Sequence, residues 1–148
     1  LPLSRQDVAD IYWLEATIAK ELASTATERL TDEQIDDLER ANEDLARAVI
    51  DGDPDTINAA EFAFHRIFNR ATGRMKLAWF LLHAARYMPP LVYVTDLGWG
   101  QSAVENHRQL IAALRRRDSA ALAQVVDREF TEGARLLLEQ LERSGMWT

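Results

Sequence analysis

Asp53-Pro54-Asp55-Thr56-Ile57-Asn58-Ala59-Ala60-Glu61-Phe62-Ala63-Phe64-His65-Arg66-Ile67-Phe68-Asn69-Arg70-Ala71-Thr72-Gly73 is the stretch that decides the fold. Asp53 is a side-chain cap, and Pro54 follows at the first helical position, where a missing N–H is harmless and a fixed φ already suits the helix. Ile57, Phe64 and Phe68 then recur at helical spacing, and Thr72-Gly73 closes the run. The same punctuation repeats on both sides. Ser4-Arg5-Gln6-Asp7 opens a helix to about Ala26, with Asp7 favourable to the helix dipole, and Thr31-Asp32-Glu33-Gln34 is a capping box for a helix to about Ile50. A fourth helix is expected over about Arg74–Tyr87, stopped by Met88-Pro89-Pro90. Residues 91–99 are ambiguous, because Val92-Tyr93-Val94-Thr95 has strand-like composition but is short and has no visible pairing partner. A fifth helix is expected over about Gln101–Arg116, and a sixth, capped by Asp118 or Ser119, to about Leu141. No period repeats. The reading is an all-α, antiparallel bundle of six or seven helices with short connections, forming one domain over residues 1–148.

Composition narrows the function. The 148 residues carry 24 acidic and 17 basic side chains, a net charge of −7, and no cysteine. Disulfides, thiolate zinc sites and cysteine nucleophiles are thereby excluded. A sequence pI near 5.0 makes the chain a poor match for the phosphate backbone of nucleic acid. No apolar run approaches the ~20 residues of a membrane helix, and Leu1–Asp10 does not read as a signal peptide, so a cytoplasmic location without membrane contact is expected. The sequence lacks an initiator Met and starts almost directly on a capped helix, which suggests a fragment whose N-terminal neighbour is missing. It has no helix-turn-helix motif of its own. HExxH, GxSxG, Walker and GxGxxG motifs are absent, and Glu61 to His65 is one residue too long for a di-iron Glu-x-x-His pair.

Placing each helix on a wheel at ~100° per residue separates inward polar groups from the solvated ones. Glu129 falls among Leu122, Val125, Val126, Gly133, Leu136 and Leu137, where an unpaired carboxylate would cost several kcal/mol. His107 falls among Ala103, Leu110, Ile111 and Leu114; a lone His there is more often a hydrogen-bonded core residue than a ligand. Glu61 and His65 stand at i and i+4, one turn apart on one side, a spacing that suits two ligands from one helix but also suits an ordinary Glu–His pair. Glu15 shares the face of Val8, Ile11, Ile18, Leu22 and Ala26, either buried or with its head reaching out to solvent. Elsewhere His83 reads as core, and so do Trp79, Phe80, Tyr87 and Trp99, although a bundle pocket would use the same residue types. Arg115-Arg116-Arg117 complements a helix C-terminus, and Arg66, Arg70 and Arg74 form a solvated stripe.

The runs Leu3-Ser4-Arg5-Gln6-Asp7-Val8, Ile11-Tyr12-Trp13-Leu14, Ala60-Glu61-Phe62-Ala63-Phe64-His65-Arg66, Ala71-Thr72-Gly73 and Asn106-His107-Arg108-Gln109-Leu110-Ile111-Ala112-Ala113-Leu114 resemble the FadR-type C-terminal ligand-binding domain (FCD) of GntR-family transcription regulators. The likeness spans essentially the whole chain. It implies a helical bundle that senses a small-molecule effector, acts as a homodimer, and follows a winged helix-turn-helix domain that binds operator DNA. Many members hold a divalent metal through one Asp and three His, and the metal helps bind a carboxylate effector. Carried over, the Asp falls on Glu61 and the three His on His65, His107 and Glu129. Two carboxylates and two imidazoles still suit zinc, nickel, manganese or iron, and no organic cofactor is expected. An Arg that often meets the effector carboxylate in the family is replaced by Glu15, which points to a polar, cationic or large apolar effector. Expected effector contacts are Glu15, His83, Arg86, Tyr87 and Trp99. Two other classes remain open: a metal-dependent enzyme using the same four ligands, and a purely structural dimerisation module.

Overall fold

Each expected cap forms. In the computed structural model, which describes residues 3–88 and 97–147, Asp7 N–H donates to Ser4 Oγ (3.0 Å) while Ser4 N–H donates to the Asp7 carboxylate (2.8 Å). Thr31 and Gln34 make the same reciprocal pair, and Asp53 accepts from Thr56 N–H at 3.0 Å. These caps open α1 (Arg5–Arg29), α2 (Asp32–Asp51) and α3 (Pro54–Ala71). Helix α4 (Met75–Ala85) follows, then α5 (Leu97–Arg115) and α6 (Ser119–Arg143), the last capped by Asp118. Among the described residues all regular structure is helical, and no helix is long and apolar enough to cross a membrane. Gly52, at φ 78°, terminates α2 in the left-handed region that a side chain would strain.

Two boundaries differ from expectation. Helix α4 stops at Ala85 rather than Tyr87, and α5 begins at Leu97 rather than Gln101, so Leu97-Gly98-Trp99-Gly100 is helix. The strand-like Val92-Tyr93-Val94-Thr95 lies outside the described residues.

Helices α1 and α6 run antiparallel along their length: Arg5 pairs with Glu142 at one end, and Lys20 with Asp127 (3.0 Å) further along. Helix α2 packs between α3 and α5, while α4 lies on α1 and α5 on α6. The main core joins Leu22, Ala26, Ile35, Leu38, Phe64, Phe68, Leu110, Leu114, Leu122 and Val126. Full burial of a side chain such as Phe64 contributes roughly 1.5–3 kcal/mol. Trp99 packs on a second cluster with Leu45, Val49, Ile57 and Ala103, as expected of a core residue.

The aromatic residues of α4 and of the turn that follows it do not. Trp79 and Phe80 are about half exposed and Tyr87 is 74% exposed. Met75, Trp79 and His83 recur every four residues, so α4 carries a second apolar stripe beyond the one that packs inward through Leu77 and Leu81. His83 is half-buried beside Trp79, its ring stacked on the indole at 3.7 Å and Nδ1 2.8 Å from the Trp79 carbonyl. The basic triplet also does more than complement a dipole. Arg115 bridges Asp36 and Glu39 of α2, and Arg117 donates to the Leu30 carbonyl, which ties the α5–α6 turn to the α1–α2 corner. Arg74 leaves the solvated stripe to pair with Glu21 and Thr25 of α1.

Candidate metal centre

Glu61 and His65 leave α3 one turn apart, His107 comes from the middle of α5, and Glu129 from α6. Their ligand atoms lie within 4.8 Å of one another. Three helices that meet in the core thus bring together four residues from well-separated parts of the sequence. His65 Nε2 is 2.6 Å from Glu61 Oε1 and 3.4 Å from Glu129 Oε1, while His107 Nε2 is 3.4 Å from the same Glu61 oxygen. Phe64 lies flat against His107, ring centroids 3.7 Å apart and planes within 4°, and His65 meets both rings edge-on. The Phe64 ring therefore fixes the orientation of His107, and the Glu61 contact holds His65.

Electrostatics reinforce the geometry. Burial pushes the Glu61 carboxyl upward, but the His65 imidazole 2.6 Å away leads the interactions that outweigh it and hold the group well below the usual carboxylate range. Burial pushes His65 the other way, and the Glu61 charge with hydrogen bonds to Glu129 and Glu61 raises it well above its ordinary value. Without a metal, His65 is thus an imidazolium held between two carboxylates.

The sequence-derived effector contacts are scattered. Glu15 is buried, 5% exposed, with Oε1 free of any hydrogen bond, and burial pushes its carboxyl up to about 7. It sits on α1 between Tyr12, which packs edge-on against Phe130, and Lys20, which pairs with Asp127. The antiparallel register therefore sets Glu15 near the level of Glu129. Arg86 and Tyr87 are exposed beyond the end of α4, with His83 one turn earlier, and Trp99 packs on the second cluster. Two surface depressions, of about 610 and 380 Å³, lie along α2 against α5 and α3, and neither is lined by the four clustered residues.

One residue was missed. Asn42 of α2 is buried, with Oδ1 3.0 Å from His107 Nδ1 and Nδ2 donating to the Val104 carbonyl at 3.1 Å. It lies on the inward face with Leu38, Leu45 and Val49, so the wheel argument applied to α2 would have found it.

The FCD domain model matches residues 10–131. The chain belongs to the FCD domain family. Among solved structures, E. coli McbR/YncC superposes on this FCD domain with a TM-score of 0.83 at 19% identity, covering 93% of this chain. The FCD domain spans 66% of that chain, and at such identity the likeness speaks for the fold alone. No curated protein sequence gives a significant match.

The side chains of this FCD domain fit a divalent cation. His107 Nε2 and Glu61 Oε2 are buried and make no hydrogen bond. An unbonded ring nitrogen 3.4 Å from a carboxylate oxygen places two electron-rich atoms face to face, an arrangement that a positive charge between them relieves. Two carboxylates and two imidazoles form a borderline donor set of the kind zinc, nickel, manganese and iron accept.

Proposed function

We propose that this FCD domain is the effector-sensing and dimerisation part of a GntR-type transcription regulator of the cytoplasm, holding a divalent cation through Glu61, His65, His107 and Glu129. One observation carries the reading: the buried, unbonded His107 Nε2 faces a carboxylate inside a four-residue cluster. A bound divalent ion would act as a Lewis acid with an open position for a polar group of the effector. His107, held by Phe64, offers a fixed lone pair. Glu61 and Glu129 supply the negative charge, and His65 gives up its proton when a metal enters, because proton and metal compete for one nitrogen.

The charge balance also bears on the effector. Two carboxylates neutralise a divalent ion, so the loaded cluster has no excess positive charge to attract a simple carboxylate. Glu15, with an unbonded buried oxygen on α1, favours a cationic or hydrogen-bond-donating group instead. A ligand that binds one packing of α1 against α6 better than another would shift that packing, and α1 leads back toward the expected winged helix-turn-helix domain and its operator DNA. The convergence of the four side chains favours this reading over a purely structural module, where nothing would require them to meet. Membership of a regulator-domain family favours it over a metalloenzyme.

Two copies would associate through α4. Trp79, Phe80 and Tyr87 together expose on the order of 400 Å² of aromatic surface, about half of what one partner contributes to a standard interface of ~800 Å².

Metal analysis by inductively coupled plasma mass spectrometry on protein purified without chelator tests the centre. Wild type should carry about one ion per chain, and His65→Ala and His107→Ala should each lose it. Unchanged metal content in both variants would sink the assignment.

A further inference from the structure

His107 can serve as a ligand only if its one neutral-state proton sits on the nitrogen away from the cluster, and the structure contains a device that puts it there. Asn42 Nδ2 donates to the Val104 carbonyl at 3.1 Å, which fixes the amide plane and leaves Oδ1 facing His107 Nδ1 at 3.0 Å. A carbonyl oxygen only accepts, so Nδ1 must carry the hydrogen. In the neutral ring, which has a single N–H, Nε2 is then a bare lone pair, and it makes no hydrogen bond in the structure. Phe64, stacked within 4° of the ring plane, keeps that lone pair aimed at Glu61.

Without Asn42 the proton would have a better place. Moved to Nε2, it would give Glu61 a charge-assisted hydrogen bond and close the position a cation needs. Asn42 and Glu61 thus compete for one proton, and the buried amide decides the outcome. We propose that Asn42 is the positioning residue of the metal centre: it locks His107 in the Nδ1–H tautomer and so keeps Nε2 available to a divalent cation. The proposal rests on the metal-centre reading, but its first half concerns the metal-free protein.

The test uses metal-free chain labelled with ¹⁵N at histidine, its His107 signal assigned by comparison with His107→Ala, followed by zinc titration. The long-range ¹H–¹⁵N spectrum of wild type should show His107 as Nδ1–H with unprotonated Nε2. Asn42→Leu removes the acceptor and should shift the ring toward Nε2–H and weaken zinc binding roughly 10–100-fold. Asn42→Asp restores an acceptor while losing the bond to Val104, and should keep both the tautomer and near wild-type affinity. A wild-type ring protonated at Nε2 overturns the proposal and needs no variant, so misfolding of Asn42→Leu cannot shelter it. Equal loss of zinc affinity in the Leu and Asp variants also overturns it, since the residue would then be only a tie between α2 and α5. Wild type that takes up no zinc while His107 holds the Nδ1–H form overturns the metal-centre reading and leaves the tautomer lock standing.

Discussion

Glu15 is the residue whose burial has the clearest thermodynamic consequence. Its carboxyl is pushed from the ordinary 4.5 up to about 7 by desolvation. Folding therefore favours the protonated acid: this contribution is fully present below pH 4.5 and is lost as pH rises through 7. Glu15→Gln mimics the protonated form and should escape that loss. In urea unfolding, wild type and variant should be about equally stable at pH 4, and the variant more stable by about 3 kcal/mol at pH 8. A gap of the same size at both pH values would contradict buried ionisation at this position. Helical position singled out Glu61, His65, His107 and Glu129, because a polar group on an apolar arc needs a partner, and the family resemblance named them as one set. The wheel could not say whether Glu15 turns outward or stays in, since that depends on how closely α6 approaches α1. Gly133 lets Tyr12 lie there: a Cβ at that glycine would come within 3.3 Å of the Tyr12 ring.

At the scale of the elements, the caps were legible and the contacts between helices were not. Ser4, Thr31, Asp53 and Asp118 each announce a helix through hydrogen bonds made within four residues, so no tertiary information is needed to read them. The start of α5 has no such cap in the sequence, and the segment before Gln101 reads as ambiguous. Gly100 is there for proximity, because a Cβ would meet the Val49 methyls of α2 at 2.8 and 3.0 Å. Helix propensity favours Ala at this position by about 1 kcal/mol, but overpacking costs about 1–3 kcal/mol. Gly100→Ala should therefore lose stability in thermal unfolding, and Val49→Ala should cost less in that background than in wild type. Additive effects would mean that α2 and α5 are not in close contact here. Helix α4 misled for another reason. Its aromatic content reads as core, and only the packed bundle reveals that, among the described residues, one stripe stays exposed.

For the whole molecule, the helical bundle follows from capped amphipathic segments with short connections, and the acidic surface follows from composition. Helical periodicity alone could not say that Glu61, His65, His107 and Glu129 share a point in space; the family resemblance named the set, and the meeting of α3, α5 and α6 brings it together. The same holds for association. Sedimentation velocity should find the wild-type chain as a dimer and Trp79→Asp as a monomer with unchanged helix content, because a charge in the centre of the α4 stripe would have to be desolvated. A wild-type monomer at high concentration would remove α4 as the interface. The net charge of −7 now divides into two kinds of carboxylate. Those pairing with Arg47, Arg115 and Arg135 sit at the surface, whereas Glu15 and Glu61 are enclosed. Whether the partly enclosed cluster holds a divalent ion is addressed directly by anomalous X-ray scattering from crystals of protein purified without chelator. A single anomalous peak bonded to Glu61, His65 Nε2, His107 Nε2 and Glu129 is expected. A map with no peak there, and His65 still hydrogen-bonded between Glu61 and Glu129, would contradict it.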